Sequence, residues 1–324
     1  MSVDSLAPEL TVRAPVFADA AAVYALDEIC AATEYGTPDV RLADLQAHWR
    51  LPGTDLARDC WLVATPDGSV VGYARLWFFA RIRFYSYLLV HPDYRDKGVG
   101  ERLLALVEGR ARELAAETPG AGRMVILNEA NEPNIWAARL LEAHGFHAIR
   151  GHLRMEIALD EPPAEPEIPP GLTLRPMVLG QENRAVWAAN NEGFADHWNF
   201  VPIPFETWAH WTVESPDFDP TLCFLMMDGD EIAGMAQCEL AGAHGDVGYV
   251  NDLSVRKPWR RRGVALALLR HAFAEFYRRG LPIVALGVDA ESTTGAPQLY
   301  ARAGMRPIRR KLVYEKVLRE DPAE

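Results

Sequence analysis

The chain has 324 residues, of which 49% are hydrophobic and 24% are charged, and its formal net charge is −12. This composition is typical of a globular protein, and the acidic balance argues against general nucleic-acid binding. No uninterrupted apolar run approaches the roughly 20 residues of a membrane span, and the first residues lack the pattern of a signal peptide. We therefore expect a cytoplasmic protein without nucleic-acid or membrane partners. The four cysteines show neither disulfide nor metal-ligand spacing, so no metal site is expected.

The sequence repeats itself at about half its length. "LTVR" at 10–13 returns as "LTLR" at 172–175, and "VHPDYRDKGVG" at 90–100 returns as "VRKPWRRRGVA" at 255–265. Solenoid repeats have periods of about 20–50 residues, so this longer spacing indicates two copies of one domain. Between the copies, "DEPPAEPEIPPG" carries five prolines and four acids, which favours an extended linker. We predict domains at 1–160 and 172–324, with a linker at 161–171.

Each copy is predicted to contain the same elements in the same order. A short strand and a helix come first, followed by a hairpin with an Asp-Gly turn, as in "CWLVATPDGSVVGYARLWF". A further strand, "RFYSYLLV" or "VGYVNDLSV", leads through a turn into an amphipathic helix. A strand, a second helix and a last strand are expected to close each copy. Strands interspersed with helices indicate an α/β layered domain.

The turn before the amphipathic helix carries the strongest functional signal. In the second copy it places five positive charges in the seven residues 256–262. Glycine lets the backbone approach an anion closely, and a helix N-terminus presents N–H groups to it. The valine-to-arginine-to-glycine spacing is the same in both copies, which favours phosphate binding over the alternative of a solvated basic turn. The endings of a Walker loop and of a dinucleotide fingerprint are both missing.

This turn resembles motif A of the GNAT superfamily of N-acetyltransferases, Arg/Gln-x-x-Gly-x-Gly/Ala. The motif stands here as Arg95, Gly98 and Gly100, and again as Arg260, Gly263 and Ala265. The resemblance covers nearly the whole chain, and the two copies are most similar to tandem acetyltransferases of the mycothiol synthase type. It implies an α/β fold of two tandem GNAT-like domains, each a mixed, mostly antiparallel sheet flanked by helices.

The resemblance also implies that acetyl-CoA is the co-substrate, with its pyrophosphate on the turn and its pantetheine along the preceding strand. In the second copy, the residues expected to bind it are Leu253, Val255, Arg260, Arg261, Arg262, Gly263, Val264, Ala265 and Ser292. In the first copy, the corresponding residues are Val90, Arg95, Lys97, Gly98 and Gly100.

The second family signature, Ala-x-x-Leu-Tyr-x-x-x-Gly, distinguishes the copies. The second copy carries its tyrosine at Tyr300, whereas the first copy has Leu141. In this family the tyrosine typically protonates the departing CoA thiolate, and leucine cannot donate a proton. We therefore expect the second copy to be catalytic and the first to be degenerate. Packing, or a hydrogen bond to bound CoA, is the alternative role of Tyr300.

The general base is less clearly marked. The attacking amine must be neutral, which calls for a carboxylate or a water chain. Asp252 is the nearest candidate, Glu239 is the second, and a purely structural carboxylate is the alternative for Asp252. Mycothiol synthases are expected to carry a glutamate near Tyr249, and this strand has no acid there.

The acceptor is expected to lie against an aromatic stretch, "NNEGFADHWNFVPIPFETWAHW" at 190–211. Asp196, His197 and Glu206 are candidate amine contacts within it, and core packing of the aromatic side chains is the alternative. The sequence thus predicts transfer of an acetyl group to a primary amine of a small molecule by direct attack, in a monomer or homodimer. A non-catalytic CoA-binding or ligand-sensing protein and a protein N-terminal acetyltransferase are the alternatives.

Overall fold

The described chain forms two compact units. The computed structural model describes residues 6–36, 41–50, 53–79, 83–118, 122–198, 200–215, 217–242 and 245–320. The N-terminal unit consists of the chain up to His152 together with the segment from Arg309 onward, and the C-terminal unit is Leu153–Ile308. These limits differ from the predicted domains at 1–160 and 172–324, because the last strand of each repeat belongs to the other unit.

The N-terminal unit has a six-stranded sheet in the order β1-β2-β3-β4-β5-β12. Its strands are β1 (Thr11–Arg13), β2 (Cys60–Ala64), β3 (Val70–Phe79), β4 (Arg83–Val90), β5 (Met124–Asn131) and β12 (Arg306–Arg319). Its helices are α1 (Ala20–Glu34), α2 (Leu42–Arg50), α3 (Leu56–Asp59), α4 (Val99–Ala116) and α5 (Ile135–Ala143). β4 and β5 are parallel, whereas β1 to β4 pair antiparallel in sequence and β12 pairs antiparallel with β5.

The C-terminal unit repeats this arrangement in the order β7-β8-β9-β10-β11-β6. Its strands are the second half of β6 (His147–Ala158), which enters this unit at Leu153, and β7 (Thr173–Pro176), β8 (Cys223–Asp228), β9 (Glu231–Ala241), β10 (Val247–Val255) and β11 (Ile283–Asp289). Its helices are α6 (Asn183–Phe194), α7 (Phe205–Trp211), α8 (Val264–Arg278) and α9 (Ala296–Arg302). β10 and β11 are parallel, while β7, β8, β9 and β10 pair antiparallel. The predicted α/β fold with mixed, mostly antiparallel sheets is confirmed.

Each sheet is covered by a hydrophobic core on both faces. In the C-terminal unit, α8 buries Leu268, Phe273 and Phe276 in one core, and α6 and α7 contribute Val186 and Trp208 to the other. The N-terminal unit has the same two layers, one built on α4 and the other on α1 and α2. The apolar residues recur at helical spacing, and their burial fixes each helix against its sheet.

The amphipathic helix of each unit begins at a left-handed glycine and packs tightly on a second glycine. Gly98 and Gly263 precede α4 and α8 with φ angles of 75° and 86°, a conformation that favours glycine. In β9, a Cβ on Gly234 would lie 3.0 Å from the Val264 side chain and 2.8 Å from a backbone oxygen. The helix start therefore lies directly against the sheet.

The two units exchange their last strands. β12, from the end of the second repeat, pairs antiparallel with β5 over Lys311–Arg319 and buries Tyr314 in the N-terminal core. The Nζ atom of Lys316 donates to the buried Glu108 of α4 at 2.6 Å. Reciprocally, β6 neighbours β11 and buries Met155 in the C-terminal core.

The linker and the search for membrane spans complete the comparison of the fold with the sequence. The proline-rich segment 161–171 contains no helix or strand in the structure, as expected for its proline content. No helix among the described residues combines the length and the apolar content that a membrane span requires.

The strand exchange predicts which unit a core substitution destabilises. Tyr314→Ala removes a side chain that is 1% exposed and should cost about 3–5 kcal/mol. Because Tyr314 lies in the N-terminal core, hydrogen exchange should accelerate in β3–β5 and not in β8–β10. Leu286→Ala, also 1% exposed, is the matched control and should show the reverse pattern. Faster exchange in β8–β10 of the Tyr314 variant would contradict the exchanged arrangement.

Candidate functional site

The two parallel strands of the C-terminal unit separate soon after they pair. β10 pairs with β11 only over Val247–Tyr249 and Ile283–Ala285, whereas on its other side it stays paired with β9 as far as Val255. A register shift between Val250 and Asp252 marks a bulge at this point. Bulges bend a strand and redirect its side chains. The described strands therefore leave a gap beside the last residues of β10.

The loop that leads from β10 into α8 presents unpaired donors. The first N–H groups of a helix lack intrahelical partners, and Gly263 provides no side-chain cap. Arg261 adopts a left-handed conformation with φ 60°, which is unusual for a residue other than glycine. The side chains of Arg261 and Arg262 are exposed and have no partner among the described residues. An uncapped helix start beside two exposed guanidinium groups is suited to an anion, and phosphate binding at this loop stays a prediction.

The other three cations of the basic run are engaged within the unit. Arg256 pairs with Glu192 at 2.7 Å and with Glu231 at 3.2 Å. Lys257 lies 3.0 Å from Asp196. Trp259 anchors the same segment, because its indole is buried and donates to Asp228 at 2.8 Å. Charge density in the sequence therefore overstates the charge that is available to a ligand.

Arg260 holds the loop in place. Its Nε donates to the carbonyl of Val255 at 3.0 Å, one terminal nitrogen to Asp196 at 2.7 Å, and the other to the carbonyl of Gly193 at 3.0 Å. Arg95 has the same relation in the N-terminal unit, where it pairs with Glu34 at 2.9 Å. The sequence motif predicts that both arginines bind phosphate, which remains a prediction. Their geometry instead favours positioning of the loop against the end of the first helix.

Tyr300 lies in the core next to this loop. Its side chain is 8% exposed and belongs to the cluster that contains Val264, with Leu253 and Val255 packed at the cluster's edge. No described residue hydrogen-bonds to its hydroxyl. Burial raises the pKa of Tyr300 to about 12, so the phenol is protonated at neutral pH. It is therefore a proton donor without a protein acceptor.

Comparison with known proteins identifies the family. The sequence profile of the Acetyltransferase (GNAT) family matches residues 21–146 and again residues 185–305. The chain belongs to the GNAT acetyltransferase family. A mycothiol acetyltransferase from Thermobispora bispora is 32% identical over 228 residues, which are 67% of this chain and 70% of the relative. Another from Nocardiopsis dassonvillei is 30% identical over 263 residues, covering 75% and 77% of the two chains.

Solved structures show the same tandem GNAT architecture. A GCN5-related N-acetyltransferase from Sphaerobacter thermophilus superposes with a TM-score of 0.85 at 34% identity, covering 98% of this chain and 99% of that one. A tandem GNAT protein from the clavulanic acid biosynthesis pathway has a TM-score of 0.69 at 19% identity and covers 98% and 100%. The predicted resemblance to tandem, mycothiol synthase-like members of the family is confirmed.

Asp252 stands at the bulge of β10 and faces α6. Asn190 of α6 donates to its Oδ2 at 2.8 Å. Burial raises the pKa of Asp252, and the hydrogen bond from Asn190 offsets part of this effect. A carboxylate with a raised pKa accepts protons more readily than an ordinary one. The geometry is compatible with the role of general base that the sequence suggested.

Two neutral side chains beside Asp252 were not singled out from the sequence. Gln237 of β9 is its direct partner in the strand register. The Oε1 of Gln237 and the Oδ1 of Asn190 are both buried without a hydrogen-bond partner among the described residues. Buried acceptors without donors are costly. Together with Asp252, they place two unpartnered carboxamide oxygens beside a buried carboxyl group. The sequence does contain one sign of this cluster. The first helix of each repeat carries a polar residue, Asp27 or Asn190, on its inner face.

Glu239, the second candidate base, lies on the strand next to β10. Its position is directly opposite Tyr249 in the register of β9 and β10, and its side chain is exposed. An acid therefore does stand near Tyr249, but it comes from the neighbouring strand. Sequence position along β10 could not show this, because cross-strand neighbours are set by the pairing register.

The aromatic stretch expected to line the acceptor site is largely structural. Trp208 is 6% exposed in the core cluster under α6 and α7, and Phe205 packs against that cluster. Asp196 is occupied by Arg260 and Lys257. Glu206 and His197 are exposed. Among the described residues of this stretch, core packing is thus the role that the geometry favours, with Asn190 as the exception.

The remaining predicted residues of the C-terminal unit surround the loop. Val264 is buried at the start of α8, and Ala265 follows it in the first turn. Ser292 lies in the turn before α9, where its Oγ is 2.9 Å from the Oγ1 of Thr294. Within the described residues, no three His, Cys, Asp or Glu side chains form a metal-binding group.

The corresponding loop of the N-terminal unit is covered by an indole. A Cβ on Gly100 would lie 2.8 Å from the Trp136 ring and 2.8 Å from Leu140. In the second repeat, the position of Trp136 is occupied by Gly295. Gly98 keeps its left-handed conformation, and Lys97 places its Nζ 4.0 Å from the centre of the Tyr94 ring. Val90 is 3% exposed. Gly100 therefore accommodates Trp136 in this structure.

The raised pKa of Asp252 makes a prediction about stability. The folded state holds this proton more tightly than the unfolded chain, whose aspartate pKa is about 3.9. Stability from this residue is therefore lost as the pH rises above that value. Asp252→Asn should therefore raise Tm more at pH 8 than at pH 4. Each kcal/mol by which the substitution increases the free energy of unfolding should raise Tm by about 2–4 °C. Asp230→Asn, in the exposed turn between β8 and β9, is the control. An equal change in Tm at both pH values would contradict a desolvated carboxylate.

Proposed function

We propose that this protein transfers the acetyl group of acetyl-CoA to a primary amine of a small molecule, and that the C-terminal unit carries the reaction. The observation that carries the proposal is that the C-terminal unit holds two complementary features. Tyr300 is a protonated phenol without a protein acceptor, and Asp252 lies beside the carboxamide oxygens of Asn190 and Gln237, which accept no hydrogen bond from a described residue. Acetyl transfer needs a proton acceptor on the amine side and a proton donor on the sulfur side.

The residues of the C-terminal loop fit an acyl-CoA. Gly263 and the uncapped start of α8 offer backbone N–H groups to a pyrophosphate, and Arg261 and Arg262 add two charges without protein partners. The gap beside Val250–Val255 leaves backbone groups of β10 for the pantetheine amides. Membership of the GNAT family supports the same assignment. Bound acetyl-CoA supplies the thioester.

The acceptor side fits a primary amine. Asp252 accepts the proton that the amine loses, directly or through water, while the free oxygens of Asn190 and Gln237 accept its N–H groups. The amine then attacks the thioester carbonyl, the C–S bond breaks, and Tyr300 gives its proton to the sulfur. Burial raises the pKa of Cys223 to about 12, so this buried thiol is a poor nucleophile, which supports direct attack. The relatives named mycothiol acetyltransferases support a small-molecule acceptor.

Removal of the Tyr300 hydroxyl tests the reaction. Tyr300→Phe keeps the ring and removes only the proton donor, so kcat should fall about 10²- to 10⁴-fold while the KM for acetyl-CoA changes little. Free CoA thiol released from acetyl-CoA would be measured with a panel of amino acids and amino sugars. Tyr277→Phe, at an exposed tyrosine of α8, is the control. Acetyl-CoA binding without turnover of any amine in the wild type would favour the non-catalytic alternative.

The two unpaired arginines predict a salt-dependent affinity. Arg261→Ala together with Arg262→Ala should weaken CoA binding about tenfold or more at low ionic strength, because two charge-assisted contacts are lost. This loss of affinity should be smaller in 0.5 M salt, where the Debye length is about 4 Å and the charges of the arginines are screened. Isothermal titration calorimetry would measure both. Arg278→Ala, at the other end of α8, should leave the affinity unchanged. Full affinity in the double variant would place the phosphates elsewhere.

A further inference from the structure

A cavity of about 230 Å³ lies within the N-terminal unit, where β4 and β5 separate after Ser86 and Asn128. It lies between this strand gap and the inner face of α1. Leu141 lines it in place of a catalytic tyrosine. Its volume is below the roughly 300–1,000 Å³ of drug-sized ligand sites, so it suits a small metabolite.

The cavity contains a positive charge without a counter-ion. Arg75 of β3 lines it, and its Nε is buried without a hydrogen-bond partner. Among the described residues, its guanidinium makes no ion pair; it stacks on Trp77, with 4.5 Å from Cζ to the ring centre. Its direct cross-strand neighbours are Cys60 and Tyr87, which are neutral. A buried N–H donor without an acceptor destabilises the folded protein, because the donor has lost its hydrogen bonds to water.

The carboxylates that line the cavity already have protein partners. Glu34 accepts from Arg95 at 2.9 Å and from Asn131 at 2.9 Å. Asp27 accepts from the hydroxyl of Tyr87 at 2.9 Å. Glu129 lies 3.0 Å from a ring nitrogen of His152. None of these three carboxylates hydrogen-bonds to or forms an ion pair with Arg75, so its guanidinium has no counter-ion among the described residues.

The equivalent positions of the two units have opposite hydrogen-bonding character. In the strand registers, Arg75 lies opposite Tyr87, as Gln237 lies opposite Asp252. At this pair of positions the C-terminal unit has an unsatisfied acceptor, the Oε1 of Gln237, where the N-terminal unit has an unsatisfied donor, the Nε of Arg75. A protonated amine that fits the site of the C-terminal unit would be repelled by the guanidinium in the N-terminal unit.

We propose that the N-terminal unit binds a small carboxylate-bearing molecule in this cavity, with the carboxylate held by Arg75. The planar guanidinium fork matches a carboxylate in geometry and charge. The aromatic side chains of Trp77, Tyr87 and Trp136 form apolar walls for the rest of the molecule. Burial and the nearby Arg75 charge lower the pKa of His48, so this wall residue adds no second charge at neutral pH. The site is independent of acetyl transfer.

Matched carboxylate and amide probes test the proposal on the full chain. Isothermal titration calorimetry without acetyl-CoA should show one site per chain for benzoate, with benzamide and inorganic phosphate at least tenfold weaker. Arg75→Gln should weaken benzoate binding about tenfold or more, because the charged fork is lost. Arg75→Lys keeps the charge without the fork and should give an intermediate affinity.

The control is Arg112→Gln, which removes a surface guanidinium that pairs with Glu108 on α4 and should leave benzoate binding unchanged. Circular dichroism establishes that each variant is folded; if Arg75→Gln does not fold, Arg75→Lys decides the role of the fork. Three results would overturn the proposal: no benzoate binding by the wild type, equal binding of benzoate and benzamide, or full benzoate affinity in the folded Arg75 variants. Equal binding of phosphate would overturn the carboxylate assignment.

Discussion

The early separation of two parallel strands is the constraint on which the rest of each unit depends. β10 and β11 share three paired residues, and β4 and β5 share four. Beyond these pairs, one edge of β10 and of β4 has backbone groups that no described strand satisfies, at the point where the next helix begins with uncapped N–H groups. Unsatisfied backbone groups seek partners. The fold thus leaves backbone groups available to a ligand at the same place in both units, whatever the side chains there.

Side chains then give the two sites different chemistry. In the C-terminal unit, a protonated phenol, Tyr300, and a buried carboxyl group with a raised pKa, Asp252, are the groups to which we assign proton donation and acceptance. In the N-terminal unit, Leu141 replaces the phenol, and Trp136 packs over the start of α4. Arg75 supplies a positive charge where the other unit has Gln237.

The motif arginines show how a family signature can have a structural role. Arg260 and Arg95 each join the loop to an acid at the end of the first helix, at 2.7 Å and 2.9 Å. The pairing recurs in both units although the surrounding charge differs, which indicates that the loop conformation itself requires it. The neighbouring Arg261 and Arg262 remain for the ligand.

Local patterns in the sequence determined the repeat, the α/β class, the glycine-led helix and the contrast between Tyr300 and Leu141. Each of these depends on residues close together in the chain, such as the Asp-Gly turns and the left-handed Gly98 and Gly263. Tertiary structure alone decided which unit receives β12, which acid holds Arg260, and that Gln237 and Asn190 adjoin Asp252. These relations join residues that are far apart in sequence, and strand register and helix packing set them. A repeated sequence is compatible with exchanged or unexchanged strands, since Met155 and Tyr314 occupy equivalent positions.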